Sequence, residues 1–346
     1  MLRYLTAGES HGEALVAILE GMPAGLKIDS ARINLELKRR QQGIGRGKRM
    51  QIEKDKVEIL SGLKKGITLG SPLALLIENK DSSIEKLPKI TCPRPGHADL
   101  AGLLKYGFTD MRNVLERASA RETASRVGIG AMCKMFLEEF KIRISSTVLS
   151  IGGESTRLAM IKKITEAKDN KDTVGGIFEV IVKGAPCGLG SYVHPDKRLD
   201  GRVAQAVMSI PGVKGVEIGL GFGYAEEFGS GVHDAIYYAK NKGYFHKTNN
   251  AGGIEGGISN GEDIVIRACM KPISTLLEPL DSVNVITKRP SKASVQRSDI
   301  CVVESAGVIA ESVLAYALAD AFLDKFGSDC LSDIKNNFRN YLKRIR

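Results

Sequence analysis

Along the chain, short apolar runs closed by glycine- and proline-rich turns predict strands, and long runs of small apolar residues predict buried helices. Residues 2–6 read as a strand ending at the polar turn Gly8-Glu9-Ser10-His11-Gly12, and residues 14–19 as a second, closed by Gly21-Met22-Pro23-Ala24-Gly25-Leu26. Residues 28–41 predict a helix with Ile33 and Leu37 on one face and an N-cap at Asp29 or Ser30. Residues 57–60 are a strand, and Gly62-x-x-x-Gly66-Ile67-Thr68-x-Gly70 leads into another at 73–77. Ser119 followed by Glu122 has capping-box spacing, predicting a helix over 120–140. Between Val127 and Leu137 only Lys134 is charged, so this helix belongs in the interior.

The same order returns. The strand at 178–182 ends in Gly184-Ala185-Pro186-Cys187-Gly188-Leu189, the G-x-P-x-G-L of the earlier turn, and a helix follows at 199–210. Val216-Glu217-Ile218 repeats Val57-Glu58-Ile59, and Gly253-x-x-x-Gly257-Ile258-Ser259-x-Gly261 leads into a strand at 264–268. A second apolar helix spans 305–326, with Gly327 as its stop. Four elements recurring in order predict an internal duplication, roughly 13–140 and 177–327. The predicted fold is α+β: one domain over residues 1–346, two pseudo-symmetric halves packed around long buried helices. A surface helix and loop at 157–170 joins them.

Composition narrows the class. The chain has 346 residues, 43% hydrophobic, enough for a substantial core. The start lacks a signal-peptide pattern and no run of about 18 apolar residues is evident, which predicts a soluble cytoplasmic protein without a membrane role. Six scattered cysteines without a C-x-x-C pair read as reduced thiols. No metal-ligand spacing is present, so no metal site is predicted. Fifty Lys and Arg against 40 Asp and Glu give +10, which suits a polyanionic ligand or nucleic acid.

The cations cluster. Residues 38–49, K-R-R-Q-Q-G-I-G-R-G-K-R, can wrap an anion or stand as a basic surface loop. Arg117 and Arg121 flank the predicted helix cap, where free N–H groups favour an anion; solvated arginines on a plain core helix are the competing reading. Arg94 and Arg112 add to this set and Arg297 to another. His11 and His97 sit in glycine-bounded turns next to strand ends, positions suited to catalysis; His194, His233 and His246 lie in polar, loop-like surroundings. Gly252-Gly253-x-x-Gly256-Gly257 lacks a nucleotide-loop spacing but lets backbone approach a flat ligand, and Lys271-Pro272-Ile273-Ser274-Thr275 offers a cation and two hydroxyls. Asp299, beside Arg297, reads as an ion-pair partner or as a functional acid.

Together these motifs resemble the chorismate synthase family. The resemblance runs through G-E-S-H-G at 8–12, Arg40 to Arg49, R-P-G-H-A-D at 94–99, E-R-A-S-A-R-E-T at 116–123, V-K-G-V-E-I-G at 213–219, N-A-G-G-I at 250–254, Lys271-Pro272 and Arg297-Ser298-Asp299. It implies an enzyme of the shikimate pathway that eliminates phosphate from 5-enolpyruvylshikimate 3-phosphate to give chorismate. Reduced FMN is required without net redox change, its reducing equivalents coming from NAD(P)H or an external reductase. It also implies a β-α-β sandwich assembled as a homotetramer. By the resemblance, His11 protonates the departing phosphate, His97 stabilises the reduced flavin and Asp299 assists transfer of the ring proton to flavin N5. Ser10, Arg40, Arg46, Arg49, Arg94 and Arg121 would hold substrate. Arg117, Ala118, Ser119, Pro211, Gly212, Gly256, Lys271, Pro272, Ile273, Ser274, Thr275 and Arg297 would contact flavin.

So anionic a substrate and cofactor account for the positive charge without nucleic acid. The family pattern R-H-D-P-C-x-x-P-R is altered here, with Ser298, Ile300, Glu304 and Ser305 replacing its histidine, prolines and last arginine. Two other classes remain distinguishable: a nucleic-acid-binding protein using the basic loop, weakened steeply by salt, and a flavin oxidoreductase consuming one reductant per product.

Overall fold

The structure is a computed structural model that describes residues 2–47, 54–240, 243–296 and 298–345. Expectations for Lys48, Arg49 and Arg297 lie outside the described residues.

Two four-stranded antiparallel sheets carry the architecture. The first comprises β1 (Arg3–Ala7), β2 (Ala14–Glu20), β3 (Val57–Ser61) and β4 (Leu73–Glu78), in spatial order β1-β2-β4-β3. The second comprises β5 (Arg143–Ile151), β6 (Gly176–Lys183), β7 (Val213–Ile218) and β8 (Ile264–Met270), in order β5-β6-β8-β7. The strand order is thus the same in both. The outer strand β5 has no counterpart among the expected elements, although its side chains alternate in burial over the first residues.

Eight helices are named here. α1 (Ser30–Gln41) is capped by Asp29, whose carboxylate accepts from Ala31 N–H. Ile33 and Leu37, one turn apart, are fully buried, and Lys38, Arg39 and Arg40 fill the last turn where the dipole favours cations. α2 (Asp99–Tyr106) and α3 (Arg112–Ala118) follow the first sheet. α4 is Thr123–Glu138, α5 Arg157–Asp169 and α6 Leu199–Met208. α7 (Val303–Phe326) and α8 (Leu331–Ile345) close the chain.

The start of α4 differs from the expected capping box. Ser119 is extended, its Oγ accepts from Arg121 N–H at 3.3 Å, and a 3-10 turn over Ala120–Glu122 precedes the helix. Glu122 does not return to the cap: Arg126, one turn on, takes its carboxylate at 2.5 Å.

α4 and α7 pack against each other. α4 also meets β2 and β4, and α7 meets β5 and β6. One apolar cluster runs from Leu15, Leu75 and Ile77 through Phe136 and Phe322 to Phe178, Val180 and Ile266. α7 is long and apolar enough to cross a membrane by length and hydropathy, but 89% of that window is buried inside the protein. It is a core helix, apolar all round because protein surrounds it. Gly327, at φ 99°, turns the chain away while its N–H still bonds Leu323 O.

Candidate active site

The last turn of α3 and the turn after β1 build the first cluster. Ser10 N–H donates to Glu116 O at 2.9 Å. The Glu116 carboxylate, 2% exposed, accepts from His11 N–H at 2.8 Å and lies 2.9 Å from His11 Nδ1. An ionised carboxylate only accepts, so Nδ1 carries the proton and Nε2 is the ring's other face. Asn79, at the end of β4, donates to Glu9 O and Gly12 O and fixes the far side of the same turn.

Asn79 also joins this turn to a buried ionic cluster. Its Oδ1 accepts from Arg121 Nε at 2.8 Å, and Arg121 Nη1 donates to Asp55 at 2.5 Å. Arg40 reaches the other oxygen of Asp55 at 2.8 Å and Thr123 Oγ1 at 3.3 Å. Burial alone would raise the Asp55 pKa, but Arg40 and Arg121 outweigh it and hold the carboxyl below its ordinary value. Burial, aided by the charge of Arg121, leaves Arg40 below its usual guanidinium range, although the Asp55 carboxylate pulls it up. Among the described residues, Arg40 Nε and Arg46 Nε are buried without a hydrogen-bond partner.

The basic loop continues from Arg40. Arg46 Nη1 lies 3.2 Å from Asp299, whose other oxygen accepts from Gly47 N–H at 2.5 Å. Ile300 N–H donates to Gly45 O at 2.7 Å, and Ser305 Oγ donates to Arg40 O at 2.7 Å. Ser305 therefore anchors the end of α1 from α7, and Glu304 sits against Gly43. Asp299 is an ion-pair partner, of Arg46.

A second cluster surrounds His97. Its Nδ1 lies 2.6 Å from Asp99, which also takes Arg94 Nε at 2.8 Å and Nη2 at 2.9 Å. Burial would raise Asp99, but the bonds from Arg94 and His97 prevail and hold it far below the usual carboxylate range. Arg94 Nη1 donates to Thr275 Oγ1 at 2.8 Å. Lys271 donates to Gly96 O at 2.7 Å and Ser274 Oγ at 2.6 Å, and its backbone N–H bonds Gly212 O, beside Pro211. Burial, then the charges of Lys214 and Arg94, lowers the Lys271 pKa. Residues 271–275, Gly212, Arg94 and His97 thus come together. Both histidines present Nδ1 to a buried acid, and a small apolar cluster containing Leu103 of α2 and Val114 and Leu115 of α3 lies between their helices.

Arg117 and Arg121 do not flank one anion site: the extended Ser119 between them sends them apart. Arg117 donates to Gly8 O, Thr6 O and Thr6 Oγ1 along β1. Gly256 lies elsewhere, at the turn between the short strands Ile254–Glu255 and Ile258–Ser259, whose neighbours are Gly190, Ser191 and Leu199. Its hairpin precedes β8, whereas Lys271 follows that strand, whose seven extended residues span about 20 Å. The residues that sequence reasoning did not assign are Asp55, Asn79, Glu116 and Asp99. Two were visible as acids inside the quoted motifs, Glu116 ahead of Arg117 and Asp99 two places after His97.

The cavity of about 410 Å³ lined by Lys134, Arg143, Ser145 and Lys183 lies away from both clusters. His246 is 8% exposed, with Glu255 and Glu262 at 3.8 and 3.6 Å.

Comparison with known proteins bears on this arrangement. The family model described as chorismate synthase matches residues 2–323. The chain is 54% identical to the chorismate synthase of Caldanaerobacter subterraneus subsp. tengcongensis, over 100% of this chain and 99% of that one. It is 51% identical to that of Geobacter metallireducens, over the full length of both. A crystal structure of chorismate synthase superposes with a TM-score of 0.82 at 42% identity, covering 99% of this chain and 98% of the other.

Proposed function

The chain belongs to the chorismate synthase family, a lyase family of the shikimate pathway, and from that premise we propose how its residues divide the work. One observation carries the reading: two histidines, each held at Nδ1 by a buried carboxylate, stand among arginines that outnumber their acids. Arg40 and Arg121 converge on Asp55 and Arg46 on Asp299, a gathering of guanidinium groups suited to a phosphate or carboxylate. The buried Nε atoms of Arg40 and Arg46 are donors awaiting an acceptor. With Ser10, Arg49 and Arg94 they form the substrate-binding set.

A reduced flavin fits the second cluster. Lys271, Ser274, Thr275 and Gly212 gather polar groups and a cation beside His97, suited to an anionic ring. Pro211, Pro272 and Ile273 belong to the same segments, and Arg117, Ala118, Ser119 and Arg297 are further flavin contacts in this reading. Reduced FMN, when bound, supplies an electron transiently and regains it, which eases C–O cleavage without net redox change. His11 delivers a proton from Nε2 to the departing phosphate, His97 balances charge near the ring, and the Asp299 carboxylate helps move the ring proton. Gly256, in the hairpin before β8, adds a further flavin contact, and the enzyme works as a homotetramer in the cytoplasm. Reducing equivalents come from NAD(P)H or an external reductase.

The test is anaerobic incubation with 5-enolpyruvylshikimate 3-phosphate, with and without reduced FMN. Chorismate should form only with the reduced cofactor. His11→Ala and His97→Ala should each lower turnover by roughly 10²–10⁴-fold while the fold persists. Folded variants with near wild-type turnover would remove both assignments.

A further inference from the structure

We infer that Glu116 is the positioning residue of the His11 proton donor: it selects the ring tautomer and aims Nε2 at the substrate. This role rests on the assignment of proton delivery to His11.

The argument begins with the grip itself. One carboxylate holds both the backbone N–H and the ring Nδ1 of His11, at 2.8 and 2.9 Å, and the carbonyl of the same residue accepts from Ser10 N–H at 2.9 Å. Three bonds from one residue of α3 therefore fix the turn, the direction of the side chain and the ring rotation. Glu116 is itself immobilised, with its side chain 2% exposed and Arg112, one helical turn earlier, 3.9 Å from Oε1. Arg112 is in turn held by a bond to Pro88 O at 3.3 Å.

The ring's two nitrogens are thereby made different. Nδ1 faces a buried acceptor and must carry a hydrogen. Nε2 lies 3.9 Å from Asp81, beyond hydrogen-bond reach, and Asp81 is 44% exposed. Nε2 is the nitrogen turned away from Glu116; a proton held there can be released, after which the ring is neutral with hydrogen on Nδ1 alone. Without Glu116 the neutral ring would distribute its proton over both nitrogens and turn about its side-chain bonds. A catalytic histidine in the wrong tautomer loses most of its activity although its binding site is intact.

His97 has a similar arrangement with Asp99, but that acid also carries Arg94. Replacing Asp99 would disturb a substrate-binding arginine as well. Glu116 offers the cleaner test, because its shortest side-chain contacts are both to His11.

Glu116→Gln keeps the shape but removes the negative charge and replaces one acceptor oxygen with an amide N–H donor, weakening the hold on His11 Nδ1. The expected result is a kcat reduced about 10²-fold at saturating substrate and reduced FMN, with KM for substrate within threefold of wild type. Glu116→Asp, which restores the charge at shorter reach, should recover part of the loss. Nitrogen-15 histidine NMR supplies a readout independent of turnover: with only five histidines, His11 is assigned by its loss in His11→Ala. Neutral wild-type His11 should show hydrogen on Nδ1, and Glu116→Gln should move it toward Nε2. A folded Glu116→Gln variant with unchanged kcat, a loss expressed only in KM, or wild-type His11 with hydrogen on Nε2 would each overturn the role. Should Glu116→Gln not fold, the wild-type tautomer decides alone. The tautomer is read whether or not chorismate forms, so a failure of the assigned reaction and a failure of this role remain distinguishable.

Discussion

A carboxylate that accepts a 2.5 Å bond from Gly47 N–H and lies 3.2 Å from Arg46 is firmly placed, and Asp299 is such a group. It ties the basic loop to the segment leading into α7. If its charge serves proton transfer, Asp299→Asn should leave reduced FMN and substrate bound but slow single-turnover chorismate formation on the order of 10²-fold or more. If it only orders Arg46 and the loop, affinity or thermal stability falls and saturating ligand restores the rate; anaerobic stopped-flow separates the two. The residue scale was also where sequence was least complete. His11, His97, Asp299 and the arginines could be named from their motifs. Asp55 and Asn79 could not, because their importance lies in bridging Arg40, Arg121 and the His11 turn, contacts made between positions 15 to 70 residues apart.

At the level of elements, the crossing of α4 and α7 decides how closely the halves approach. A Cβ added at Gly130 would stand 2.3 Å from Ser312 Cβ and 2.5 Å from its Cα, both fixed by a buried helix. Gly130→Ala should therefore destabilise by about 2 kcal/mol or more through overpacking, exceeding the ~1 kcal/mol that alanine contributes to a helix. Gly201, in α6 with nothing within 4 Å of its added Cβ, should respond oppositely, gaining up to ~1 kcal/mol. Denaturant midpoints of the two variants test the contrast. The same region contains Glu311, 0% exposed, which accepts from Arg39 at 2.8 Å, Lys134 at 2.5 Å and Ser146 Oγ at 2.6 Å, joining α1, α4, α7 and β5. Burial would raise its pKa, but the bond from Arg39 and the charge of Lys134 leave it depressed. A depressed acid stabilises the fold fully above its unfolded value and progressively less as pH falls toward its folded value. Glu311 and Asp99 both act this way, so stability should hold near neutrality and fall below about pH 4. Glu311→Gln should flatten that acid slope; an unchanged slope would show that the ionic network does not contribute to it. The long periodic helices and the strands bounded by glycine turns were legible from sequence. The edge strand β5, rich in serine and threonine, and the short helices α2 and α3 were not, since tertiary packing rather than a strong local pattern specifies them.

For the molecule as a whole, two four-stranded sheets share one strand order, and the two apolar helices pack against each other and against strands of the sheets. The net charge of +10 pointed to anions, and at the candidate site Arg40 and Arg121 converge on Asp55 while Arg46 pairs with Asp299. What sequence order alone did not reveal is that residues assigned to one flavin fall at opposite ends of β8, a consequence of chain direction through the second sheet. The central claim is an elimination that borrows an electron and returns it. The direct measurement is anaerobic turnover with substrate in large excess over reduced FMN, following chorismate, phosphate and the flavin spectrum together. The account predicts equal chorismate and phosphate, many products per flavin, and a flavin that ends reduced. Oxidation of one flavin for each product, or phosphate released without chorismate, would contradict it.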